Sequence, residues 1–166
     1  MCIRDRLRTF YYKFLHRRIA TNDFLKKINL KQSDKCCFCQ REMETISHLF
    51  LRCLATIACW NDVKQFLIQK GLKSTALTDL HLMGLSKFAP STAIDLVLLI
   101  GRHHKYSSKL AGMSPSMTLF KGKLNVVIEM EKQEALRCNS FKIFSNKWKF
   151  FLIKICCLHW LPFSYS

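Results

Sequence analysis

Cys36 and Cys39, followed by His48 and Cys53, spell C-x-x-C, eight intervening residues, and then H-x-x-x-x-C. Three thiolates and an imidazole match the demand of Zn²⁺ for four soft or borderline donors in a tetrahedron. With all four positions supplied by the chain none is left for water, so an ion held this way folds a module and hydrolyses nothing. The competing reading is four ordinary buried side chains, since free cysteine is among the most buried residue types and a single histidine is commonly a hydrogen-bonded core residue. The paired spacing favours the metal.

Neighbouring residues suggest how the ligands are positioned. Lys35-Cys36-Cys37-Phe38-Cys39-Gln40 suits a tight turn whose amides point at the sulfurs and favour the thiolate, leaving Cys37 as the spare thiol. Thr45 reads as the N-cap of a helix that carries His48 near its start and Cys53 near its end. Positions five apart do not share one face of an α-helix, so this helix is expected to end or bend before Cys53. A thiol enzyme, with Cys59 or Cys37 as nucleophile beside His48 or His81, is disfavoured because the nucleophile needs an uncommitted base.

Composition bounds the rest. The chain has 166 residues, 49% hydrophobic and 12% aromatic, enough for one core or two small ones. Gly 5 and Pro 3 leave turn punctuation sparse, and β-branched alternation is hard to find, so the fold is expected to be mostly α. Lys+Arg 27 against Asp+Glu 11 gives a net charge of +16, which calls for a polyanion: nucleic acid or an anionic membrane surface. The cysteine count of 9 is odd and no apolar leader precedes the cysteines, so a reducing intracellular compartment, cytoplasmic or nuclear, is expected. The apolar stretch Phe150 to Phe163 is interrupted by Lys154 and is shorter than the ~20 residues a membrane span needs, so no membrane partner is expected.

Along the chain, residues 1–6 look like a translated adapter remnant and are set aside. From Leu7 to Ile19, Phe10, Tyr11, Phe14, Leu15 and Ile19 recur at helical spacing, while Arg8, Lys13, Arg17 and Arg18 crowd the remaining surface, either as a solvated face or as phosphate contacts. Thr21 or Asn22 can cap a short helix from Asp23 to Ile28, with Phe24, Leu25 and Ile28 inward and Lys26 and Lys27 in its last turn, further candidates for phosphate. After the metal segment, Ile57, Trp60, Val63, Phe66 or Leu67 and Lys70-Gly71 describe a helix with a glycine stop, Trp60 being expected as an apolar lid on the metal.

Residues 72–90 show no sustained period and read as an irregular connector. A helical region over 91–149 follows. Its first helix spans the apolar run Ile94 to Ile100 and continues to Lys105, with His103 and His104 about 100° apart and solvated. A second helix, opened by Ser116 or Thr118, runs to Ala135. Beyond Glu134, Lys142, Lys147 and Lys149 alternate with Phe141, Phe144, Trp148 and Phe150, a mixture that suits single-stranded nucleic acid or, read as a helical stripe, a core.

With those residues in place, the stretch from Leu7 to Gly71 resembles the C-terminal zinc-binding region of LINE-type (non-LTR) retrotransposon reverse transcriptases. The likeness rests on Phe14 to Leu25, on Cys36 and Cys39, on Glu44-Thr45-Ile46-Ser47-His48-Leu49-Phe50, and on Cys53 and Trp60. Ala20 stands where members usually carry proline before the Thr-Asn pair. The resemblance implies a module of residues 7–71 that binds RNA or DNA beside a polymerase. Residues 150–166 run past the usual family end and read as a tail, either native or read-through sequence. With no Asp-Asp palm motif and no endonuclease region in the sequence, the resemblance implies a non-catalytic C-terminal fragment. The alternative is a structural adaptor whose helices pack on the polymerase region of the parent polypeptide without binding nucleic acid themselves.

Overall fold

The computed structural model describes residues 3–71, 78–84 and 92–152. It is mostly helical, and among the described residues the only β pairing is one antiparallel bridge, Lys35 to Met43. The helices are α1 (Ile3–Leu15), α2 (Asn22–Lys27), α3 (Leu54–Gln69), α4 (Asp79–Leu82), α5 (Thr92–Leu110), α6 (Met117–Arg137) and α7 (Phe141–Leu152), with a turn of π-helix at His48–Arg52 just before α3. The expected tail therefore lies outside the described residues from 153 on, and so do residues 72–77 and 85–90 of the expected connector. What is described of that connector holds α4, a single turn closed by a capping box between Thr78 and His81.

Helix ends explain how a chain poor in glycine turns so often. Arg17, Asn29 and Asn139 take positive φ (53°, 57° and 52°), the left-handed position that glycine usually occupies. In each case the next amide reaches back five residues: Arg18 N to Lys13 O, Leu30 N to Leu25 O, and Ser140 N to Ala135 O. These are Schellman closures made without glycine. Thr21 is the N-cap of α2, its Oγ1 accepting from Phe24 N at 3.3 Å.

The larger core joins Trp60, Val63 and Leu67 of α3 to Val97, Leu98 and Ile100 of α5, Phe120, Leu124 and Val127 of α6, and Phe144, Trp148 and Phe151 of α7. Leu7 of α1 enters the same core, so packing runs straight across residue 71. Ile3 packs against it too, which brings part of the segment set aside as residues 1–6 into the fold. At Gly101 an added Cβ would lie 2.9 Å from the Trp60 ring, so glycine is what lets α5 approach α3 this closely. A smaller core of Phe10, Phe14, Ile19, Leu49 and Phe50 packs α1 onto the π-turn, Phe14 meeting Phe50 edge-on at 5.1 Å.

Three expectations need correcting. Phe24 and Ile28 are exposed, because α2 is too short to bury a face and inserts its N-terminal end, Thr21 and Asn22, instead. Tyr11 and Leu15 lie off the buried side of α1, which is Leu7, Phe10 and Phe14. His103 and His104 are not solvated: His103 sits edge-on to Phe10 and His104 Nε2 accepts from Ser116 N at 3.1 Å. Burial, aided by the charge of Lys123, brings each imidazole down to about 4. The α7 aromatics named from sequence split: Phe144 and Trp148 are buried, joined in the core by Phe151, while Phe141 and Phe150 face out.

Candidate metal centre

Two backbone hydrogen bonds shape the segment carrying Cys36 and Cys39. Cys36 N donates to Glu42 O at 2.8 Å and Gln40 N to Cys36 O at 3.0 Å, with Gln40 in the left-handed region at φ 56°. This closes a tight loop that aims amides at sulfur, as the C-x-x-C spacing predicts. Phe38 N lies 3.4 Å from Cys36 Sγ. The Glu42 and Arg41 amides do the same for Cys39, whose thiol is brought to about 6: burial raises it, and those amides with the His48 ring outweigh burial. Cys36 is pushed up to about 12, first by its burial and also by the neighbouring Cys53, against the pull of the Cys39 and Phe38 amides.

The other two ligands come from one turn. Thr45 Oγ1 accepts from His48 N at 3.1 Å, the cap expected from sequence. The helix then widens: Cys53 N donates to His48 O at 2.9 Å, an i→i+5 bond, and Cys53 itself is extended. In an α-helix these two side chains would point about 140° apart. The π-turn closes that angle, which is how the helix bends as expected while both ligands still face one point.

The π-turn leaves carbonyls that the chain cannot satisfy by continuing, and α3 supplies the donors. Thr56 Oγ1 donates to Leu49 O at 2.8 Å and Trp60 Nε1 to Phe50 O at 2.7 Å. Trp60, expected as a lid, thus reaches the metal segment through its indole N–H. Its ring lies in the larger core, beneath the fully buried Lys105, whose Nζ is 3.2 Å from the ring centre.

The resulting tetrad fits zinc. One donor atom each from Cys36, Cys39, His48 and Cys53 falls within 4.8 Å of every other. Cys36 Sγ and Cys53 Sγ are 3.8 Å apart, and Cys39 Sγ and His48 Nε2 are 3.4 Å apart. A tetrahedral ion with Zn–S of ~2.3 Å and Zn–N of ~2.0 Å requires separations of about 3.8 Å and about 3.5 Å. Cys36, His48 and Cys53 are buried, so the ion would be enclosed. Bound Zn²⁺ would supply the positive charge that lets crowded thiols ionise together.

Two acidic residues complete the centre, Glu42, not singled out from sequence, and Glu44, quoted there in the motif but given no role. Glu42 Oε2 stands 3.1 Å from His48 Nδ1, which places the proton on Nδ1 and leaves Nε2 as the metal donor. An acid between the cysteine pair and the histidine was the available signal. Glu44, fully buried, accepts from Asn22 N and Cys37 N at 2.8 Å each and pairs with Lys109 Nζ. Lys109 also donates to Asn22 Oδ1 at 2.8 Å, so α2, the metal loop and the end of α5 meet at one buried polar node. The amide of the spare Cys37 is thereby engaged, while its thiol is pushed up by burial and by the Glu44 carboxylate. The thiol of Cys59 is buried as well, and burial raises its pKa, which opposes the thiolate a nucleophile needs.

The basic candidates divide. Arg8, Lys13, Arg17 and Arg18 are exposed, and no hydrogen bond or ion pair engages their side chains among the described residues. Lys26 pairs with Asp34 at 2.9 Å and Lys27 with Asp23 at 3.0 Å. Lys142 and Lys149 are exposed, Lys149 lying over Phe150 at 5.0 Å. Lys147 is neutralised in place: both Glu131 oxygens accept from its Nζ at 2.8 Å, and Glu131 also takes the Trp148 indole N–H at 2.7 Å. Among the described residues no helix is long and apolar enough to cross a membrane.

Residues 2–60 match the family described as zinc-binding in reverse transcriptase. That span contains all four ligands together with Glu42, Glu44 and Trp60. No curated protein and no solved structure matches the chain.

Proposed function

We propose that this chain is a zinc-folded nucleic-acid-binding module from the C-terminal part of a LINE-type (non-LTR) retrotransposon reverse transcriptase, acting beside the polymerase without catalysing a reaction itself. The observation that carries the reading is the matched zinc tetrad with, on its amino-terminal side, four exposed basic residues, Arg8, Lys13, Arg17 and Arg18, that have no partner among the described residues. The charge of +16 gives such a surface long reach toward a phosphate backbone. The role of the ion is to hold the fold on which those side chains stand. The free thiols of the tetrad suit a reducing intracellular compartment.

The test is a titration of the zinc-loaded chain with RNA and DNA over a range of salt. Neutralising Z phosphates gives a slope of log K against log salt near −0.7Z for single strands and near −0.9Z for duplex. Replacing Arg8, Lys13 and Arg18 together by glutamine should flatten that slope by two to three units. Absence of binding at low salt removes the nucleic-acid role and leaves the zinc centre standing.

A second reading has its own observation. Tyr12, Leu15 and Leu30 are exposed at 58%, 48% and 70%, which suits an adaptor packed on the polymerase region. Co-expression with that region would then bury these side chains, read as loss of their solvent labelling.

A further inference from the structure

Between the end of α1, the start of α2 and the segment that carries His48 lies a groove of about 510 Å³, within the ~300–1,000 Å³ of ligand clefts. Arg17, Phe24, Lys27, Thr45 and Ser47 are among the residues that line it. Four of its side chains have capacity to spare. Arg17 is held at φ 53° by the Schellman closure of α1, so its backbone is pinned while its guanidinium has no partner among the described residues. Phe24 is 42% exposed although it is aromatic. Thr45 Oγ1 accepts from His48 N, which leaves its O–H proton to give outward, and Ser47 makes no side-chain cap bond.

We propose that this groove binds one nucleotide of a single strand, with a phosphate on Arg17 and the Thr45 and Ser47 hydroxyls, and a base stacked on Phe24. The inference rests on the nucleic-acid reading above and assigns it a place. Guanidinium and hydroxyls are the donors that phosphate oxygens accept from, and an exposed aromatic beside them is the usual platform for an unpaired base. A duplex hides its base faces, so the exposed ring favours single strands. Asp23 lines the groove too and holds Lys27 at 3.0 Å. It repels phosphate, and this yields a prediction of opposite sign.

The experiment uses the full zinc-loaded chain and fluorescein-labelled oligo-dT and oligo-U, with a duplex as third probe, and zinc content measured on every variant to show that the fold is kept. Phe24→Ala should weaken single-strand binding by ~5- to 150-fold, the range of base–aromatic stacking. Phe24→Trp should retain binding and be quenched by the oligonucleotide. Arg17→Gln should weaken binding and flatten the salt slope by about 0.7. Asp23→Asn should tighten it. If the wild type binds with a steep salt slope while these variants match it, or if duplex binds as well as single strands and Phe24→Ala changes neither, the groove assignment is overturned and the broader reading stands. If the wild type binds no probe at low salt, both fall.

Discussion

Residues 34–44 and the body formed by α3, α5, α6 and α7 reach their conformations by different means. In the loop, backbone hydrogen bonds and amide contacts to sulfur and carboxylate set the chain, and Cys36 and Glu44 are fully buried although neither lies in a helix. In the body, Val63, Val97, Phe120 and Trp148 are fully buried among apolar neighbours, and the order there follows from area removed from water. The loop is therefore expected to depend on a bound ion and the body to hold without one. The loop meets α5 at the Glu44–Lys109 pair, and the π-turn that follows the loop meets α3 through the Trp60–Phe50 hydrogen bond and α1 through Phe14 on Phe50.

Metal removal should break that comparison open. Structural zinc supplies ~10–16 kcal/mol of apparent binding energy, as large as a small domain's whole stability of ~5–15 kcal/mol. With a chelator, protease sites should appear within residues 31–47 while α5, α6 and α7 remain protected. Equal protection in both regions would mean that the loop is ordered without metal.

The joint between the regions comes next. Glu44→Ala leaves Lys109 buried without its charge partner and should cost about 3–5 kcal/mol in denaturant unfolding. Replacing both, Glu44→Leu with Lys109→Met, should recover part of this, though the Asn22 and Cys37 amides stay unsatisfied. A double variant no better than the single would show that the amides, not the ion pair, carry the node.

Glu42→Gln is confined to the loop. It weakens the partner of His48 Nδ1 and should lower zinc affinity by ~10–100-fold, read by competition with a chromophoric chelator, with no change in the unfolding of the body.

The smallest effect belongs to the body. His104 lies at about 4 in the fold against an ordinary 6.5, so its contribution to stability is complete above about 6.5 and is lost as pH falls toward 4. The loss approaches ~1.4 kcal/mol per pH unit. Urea unfolding at pH 7 and pH 5 should show a larger fall for wild type than for His104→Leu. Zinc loss at low pH is common to both, and the difference isolates the imidazole. Equal falls would contradict a neutral buried His104.

Much of the centre is legible from residue type and spacing alone: the four ligands, the amide-lined turn, the Thr45 cap and the break before Cys53 all follow from local rules. The π-turn is not, because an i→i+5 step is set by where the ligands must converge and by Thr56 and Trp60 capping the freed carbonyls. Helices are legible from period, as with Phe144 and Trp148, although Phe151 rather than Phe141 or Phe150 takes the remaining buried place on α7. Their outer partners are not: His103 is half-buried against Phe10, distant in the chain, His104 takes the Ser116 amide from beyond the turn after α5, and Glu44 meets Lys109 across 65 residues. Pattern names a face, and only the assembled fold says what covers it.

The most direct measurement is the metal content of the chain purified without added metal. One zinc per chain is expected, retained in Cys37→Ser and lost in Cys36→Ser and in His48→Ala. A metal-free protein that is nonetheless folded between residues 34 and 53, or zinc that survives His48→Ala, would contradict the account.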